Sequence, residues 1–356
     1  MIFIFIIRFI TATCLFAFLG KANIWLSPLS NVLLAIGYRI FLIMSPVFSK
    51  ICGKFAVAAA LLIAAFGALI LCFEHSWLLI LGVILVGIGL SVSGYLIKAE
   101  VAETPSGAAH NKIALNAGSL LSGLILINFQ TRNLFFALGS LVLFISFIIA
   151  GTTTHKNRHV VLPTGYQKLK PNQFIGWALL GVAIGIKLFG VFSVLPQYLL
   201  TKLGNLPSWY GIMILINSGI VILLQLPIIH AIERLNKKNL SLKVTLVIMF
   251  TGMLIIAIPQ LFCAEKFIGA LIWTSLLTIV ECAASYLDVS ASRDGALFVK
   301  ETAVGVGAGL TVLICRYFNP SIANFAVGFL GGTLILSAIL LLKTSLTQKH
   351  VSKIIL

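Results

Sequence analysis

Four charged residues stand inside long apolar runs of this chain: Arg8, Arg39, Lys187 and Glu281. Glu281 lies in "LLTIVECAASYLDVS" (276–290), with Asp288 seven positions on, although only nine Asp and Glu occur in 356 residues. A charge inside an apolar helix is costly and marks function by default. A carboxyl group held away from water can take up and release a proton near neutrality. A buried lysine or arginine either pairs with such a carboxylate or touches a ligand. Two roles are therefore open to Glu281: a proton carrier, or one half of a permanent tie between helices. Asp288, nearer the end of its run, is expected to cap the helix or to pair with Arg293 or Lys300.

Other chemistries are poorly represented. The six histidines are scattered in loops or near the ends of apolar runs, and no paired-Asp motif occurs. His155 and His159 flank "KNR" without a third ligand, and the six cysteines have no metal or redox spacing. "GVGAG" (305–309) has no preceding strand and reads as a site of close helix packing rather than a phosphate loop. An enzyme is not expected, and neither a cofactor nor a metal is implied. Glu100, Glu103, His110 and Lys112 read as a solvated connection.

The elements that must hold these charges are set by composition. The chain is 60% hydrophobic and only 10% charged, with a mean hydropathy of +1.11. A soluble fold cannot cover that much apolar surface, so the surrounding solvent must be lipid. A spanning helix needs about 20 apolar residues. Twelve such segments are counted, at approximately 2–20, 26–48, 55–73, 77–97, 113–129, 133–151, 174–200, 209–229, 243–263, 267–287, 301–317 and 321–342. "MIFIFIIRFITATCLFAFLG" lacks a basic leader and a small-x-small cleavage site, so it reads as the first helix rather than a signal peptide. With the N-terminus inside, the connections on that side and the C-terminus carry seventeen Lys and Arg, against five on the other side. That excess belongs on the cytoplasmic face, so both termini are expected there. The net charge of +16 is read as membrane anchoring, and no nucleic-acid partner is expected.

The longest connection, "TTTHKNRHVVLPTGYQKLKPNQ" (152–173), separates six spans from six. The expected organisation is an N-terminal half at 1–151, a cytoplasmic linker at 152–173 and a C-terminal half at 174–356. The halves share weak repeats. Gly53 in "KICGKF" aligns with Asn236 in "ERLNKK" at an offset of 183, and Tyr95 in "GYLIKAE" with Tyr286 in "SYLDVSA" at 191.

Two six-helix halves, a basic central loop and these loop signatures resemble the major facilitator superfamily over the whole chain. Its short turn after the second helix has the form D-R-x-G-R-R. Gly53 and Lys54 match in the first copy, with Lys50 where the acid should stand. In the second copy Glu233, Arg234, Asn236, Lys237 and Lys238 follow the pattern more closely. The stretch 191–228 resembles the seventh and eighth helices of drug-efflux-like members, whereas "ALNAGSLLSGLIL" (114–126) has Gly118 and Gly123 but lacks the proline of proton-antiporting exporters.

The resemblance implies an all-α polytopic protein of twelve transmembrane helices in two pseudo-symmetric six-helix bundles. In that family the first, fourth, seventh and tenth helices line a central cavity, so Arg8, Lys187 and Glu281 are the substrate or coupling candidates. At about 1.5 Å per residue, Arg8 and Glu281 lie ~10 Å from the inner boundary and Lys187 ~18–20 Å. Glu281 thus reaches either cation, and Arg8 has the alternative of reaching the cytoplasmic surface. Arg39, Asp288, Gly53, Lys54, Glu233, Arg234 and Pro196 take structural or gating roles. The implied function is secondary active transport of a small molecule, with export of a drug or metabolite against protons preferred. Solute uptake, or a sensing or assembly role on the same fold, is the alternative. The expected setting is the inner (plasma) membrane, with lipid, substrate and protons as partners, and a monomer.

Overall fold

A computed structural model describes residues 2–25, 34, 37–128, 131–152, 169–189, 194–235 and 238–354. The linker residues 153–168, with His155 and His159, and the turn residues Asn236 and Lys237 lie outside them. The described elements are helical throughout. They are α1 (Ile2–Trp25), α2 (Ser45–Cys52), α3 (Ala56–Ile70), α4 (Ser76–Val101), α5 (Pro105–Asn128), α6 (Arg132–Thr152), α7 (Pro171–Phe189), α8 (Leu195–Leu203), α9 (Trp209–Arg234), α10 (Lys238–Ala257), α11 (Phe267–Arg293), α12 (Leu297–Tyr317) and α13 (Pro320–Ile354). Helix is the element this composition demands, because in lipid every backbone N–H and C=O must be satisfied within the segment.

Among the described residues nine helical runs are long and apolar enough to cross a membrane, which makes this a multi-pass membrane protein. The expected twelve are not all reached on that measure. Residues Gly37–Ile70 form one 34-residue run in place of separate second and third segments. At about 1.5 Å per residue it would be ~51 Å long, more than one crossing requires. It is broken at Gly53, whose φ of 53° and ψ of −125° end α2 in a conformation that side-chain-bearing residues avoid. Helices α5 and α7 are not among the nine; α5 carries His110, Asn111, Lys112 and Asn116, and α7 carries Asn172, Gln173 and Lys187. The expected seventh segment is described as two pieces, α7 and α8, with 190–193 between them outside the described residues. Lys21, expected in a loop, lies on α1 with its Nζ 4.8 Å above the Trp25 ring.

The chain divides into two compact units, Met1–Ala102 with His110–Pro163, and Glu103–Ala109 with Thr164–Leu356. In the first, α3 packs on α4 and α6. Phe18 of α1 meets Phe135 and Phe136 of α6 at ring-centroid distances of 5.7 and 5.6 Å. Gly118 of α5 abuts α1, where a Cβ would come within 2.7 Å of both Ala12 and the Phe9 carbonyl. In the second unit α7 packs on α12 and α13, and α11 on α9 and α10. A Cβ at Gly307 of α12 would collide with the Val182 carbonyl of α7, and one at Gly185 of α7 with the Val304 carbonyl. The "GVGAG" segment is thus a helix–helix seam, as its small residues predicted. Gly118 and Gly307 each seat a helix on the first long helix of its own unit, and their spacing falls inside the 183-to-191 window of the sequence repeats.

Candidate functional site

The second unit brings Lys187 and Glu281 together. Lys187 Nζ of α7 lies 3.5 Å from Glu281 Oε2 of α11, with side-chain exposures of 1% and 12%. Lys187 lies two residues past Gly185, one of the glycines at which α7 meets the α12 backbone. Glu281 is held by a polar face that α11 turns to α9. Thr278, one turn before it, bonds Asn217, and the Cys282 carbonyl accepts a hydrogen bond of 3.1 Å from Gln225 Nε2. Of the two cations weighed as partners for Glu281, Lys187 is the one in contact. At 3.5 Å the pair is a loose ionic contact rather than a short hydrogen bond. The same two groups can therefore exist paired, or with the carboxyl protonated and the lysine turned elsewhere.

A second ionic cluster closes the end of α11. Lys300 Nζ of α12 contacts Asp288 Oδ1 and lies 2.7 Å from Glu301 Oε1. Lys300 is 1% exposed and Glu301 5% by side chain. Asp288 thus pairs with Lys300 rather than Arg293, and Glu301 is a buried acid that sequence reasoning missed. Its signal was the adjacent Lys300–Glu301 pair opening the expected eleventh span. A burial that deep is costly unless both signs are present, and here two carboxylates face one ammonium.

In the first unit Arg8 is buried on α1, at 6% exposure. Gly94 of α4 makes room for it, since a Cβ there would stand 2.6 Å from Arg8 Nη1 and 3.5 Å from Tyr38 Oη. The guanidinium is packed on α4 rather than extended to a surface. Arg39 has its guanidinium carbon 5.3 Å above the Tyr38 ring.

The remaining expected residues are spread out. Lys54 Nζ is 5.1 Å from the Phe55 ring, just past Gly53. Glu233 is half-buried at best and 3.8 Å from His230 Nδ1, and Arg234 is exposed in the last turn of α9. Pro196 opens α8, and the neighbouring Gln197 donates to the Cys315 carbonyl of α12. His110 lies against Phe5 with centroids 5.4 Å apart. In the loop after α10, Glu265 accepts a 2.9 Å hydrogen bond from the Tyr198 hydroxyl. Its carboxyl is held below the ordinary range, first by its own backbone N–H, then by Tyr198 and by Lys266 and Lys202. Among the described residues no group of three or more His, Cys, Asp and Glu is arranged to hold a metal ion.

No family model matches the chain, and no curated protein matches it in sequence. Its backbone, however, superposes on a solved transporter structure. The human organic anion transporter MFSD10 (TETRAN) aligns with a TM-score of 0.65 over 94% of this chain and 99% of that one, at 12% identity. The two chains share a fold. At 12% identity this likeness concerns the path of the backbone, and the charged residues above have to be read on their own geometry.

Proposed function

We propose that this protein is a secondary active transporter that moves a small molecule across a membrane by alternating access of two six-helix halves, coupled to protons. The observation that carries the reading is the Lys187–Glu281 pair between α7 and α11, with the lysine buried and the carboxylate 12% exposed. Glu281 is the proton carrier. When it is ionised the pair with Lys187 is closed, and when it is protonated Lys187 is released toward substrate. Differential contact of this kind is what lets one ligand shift a conformational equilibrium. Export of a drug or metabolite is the preferred direction, because 191–228 resembles efflux-like helices. The proposed frame is twelve helices, with halves at 1–151 and 174–356 joined by a cytoplasmic linker at 152–173, and both termini cytoplasmic at an inner (plasma) membrane. The neighbour named an organic anion transporter supports a small-molecule substrate on this fold and keeps solute uptake as the second reading.

The test is reconstitution. Proteoliposomes enclosing a pH-sensitive dye are challenged with a panel of neutral, anionic and cationic drugs and metabolites under an imposed pH gradient. Solute-dependent proton movement is expected with the native protein and is lost in Glu281→Gln, while solute exchange without a gradient persists. Coupled flux unchanged in Glu281→Gln would remove the proton-carrier role. Comparing inside-out with right-side-out vesicles reads the direction.

A further inference from the structure

The first unit buries a cation without an anion. Arg8 Nε is buried with no hydrogen-bond partner, and among the described residues no carboxylate lies within the 4.0 Å of an ion pair with its guanidinium. Its Nη1 and the Tyr38 hydroxyl converge on the bare backbone of Gly94. Ser91, one turn earlier on the same face of α4, has its hydroxyl oxygen buried and without a hydrogen-bond partner as well. Ile4, Ile7 and Ile97, neighbours on the same two helices, are buried in the apolar core of this unit. An unpaired charge in such a setting is expensive, and two donors on adjoining helices here lack an acceptor among the described residues.

We propose that Arg8, with Ser91 and Tyr38 beside it, forms a binding site for a singly charged organic carboxylate. A guanidinium offers paired N–H donors that match the two oxygens of a carboxylate, and hydroxyls satisfy its remaining lone pairs. One cation neutralises one negative charge, so a monoanion fits where a phosphate dianion would remain uncompensated. The apolar neighbours suit the hydrocarbon part of such a ligand. The site deepens the transporter reading by naming the substrate class, and it rests on that reading only for its purpose, since binding itself needs no transport.

Equilibrium binding of radiolabelled benzoate to the detergent-purified full chain tests it, with benzamide as the neutral isostere. Saturable benzoate binding is expected, and an excess of benzamide fails to displace it. Arg8→Gln weakens binding by at least about tenfold, as loss of a charge-assisted bond to a carboxylate requires. Gly94→Ala, which drives a methyl group against the guanidinium while keeping the charge, also weakens it. Absence of saturable binding by the native protein, displacement by benzamide as effective as by unlabelled benzoate, or unchanged binding in Arg8→Gln overturns the site. The benzamide comparison uses the native protein, so it decides even where a variant misfolds. A protein that binds benzoate yet shows no solute-dependent proton movement in proteoliposomes keeps this site and loses the transport reading. One that moves protons but does not bind benzoate does the reverse.

Discussion

Lys187 and Arg8 are both buried cations on apolar helices, and the two units hold them in opposite ways. Lys187 faces a carboxylate at 3.5 Å; Arg8 packs against Gly94, with an Nε that bonds nothing among the described residues. Burial alone therefore does not define a role. A paired charge is compensated within the protein, whereas an unpaired one has no counter-charge there.

The contrast makes the two units respond with opposite sign to loss of charge. The largest effects belong to the second unit. Lys300→Ala removes the ammonium that Asp288 and Glu301 share and Glu281→Leu removes the carboxylate beside Lys187, and each should cost about 3–5 kcal/mol in denaturant unfolding. Combining Glu281→Leu with Lys187→Met should recover most of that loss, since neither partner then remains charged. Gly307→Leu, which forces a side chain into the α7–α12 seam, should cost about 1–3 kcal/mol and lower the melting temperature. Arg8→Leu, in the absence of anion, should leave the protein as stable as before or raise its stability by about 1 kcal/mol. A loss comparable to that of Glu281→Leu would mean that the two cations are held alike. The smallest effect is expected at Glu265. Its carboxyl is held down in the folded state, so its contribution is present above the unfolded-state value and fades as pH falls through the lowered one. Tyr198→Phe should move its titration, followed by NMR, back toward the ordinary range, with a stability change under about 1 kcal/mol because the group is solvent-screened.

The helical class, the multi-pass character and the small-residue seam were legible in the sequence because each follows from composition or from glycine placement. That Glu281 and Lys187 are charges set inside helices was legible too, since charge in an apolar run is rare. Their pairing was only half legible. Depth along a helix says that two groups can meet, and it does not say which way each faces. Glu301 was missed because a charged pair at the start of an apolar run looks the same in sequence whether it faces water or a buried aspartate. The break at Gly53 within Gly37–Ile70 coincides with the turn signal, but composition alone does not separate the two parts of that run. The room for the Arg8 guanidinium depends on Gly94, which lies on another helix and has no marker in the sequence around Arg8.

The seam between α7 and α12 has one more consequence. Gly185 and Gly307 bring the two backbones into contact, and Gly181 would collide with the Lys300 carbonyl if it bore a methyl group. Helices meshed at backbone level cannot slide past each other without opening a void or a clash. Lys187 and Lys300 are therefore mounted on one stiff pair of helices. A rigid displacement of that pair carries both ammonium groups with it.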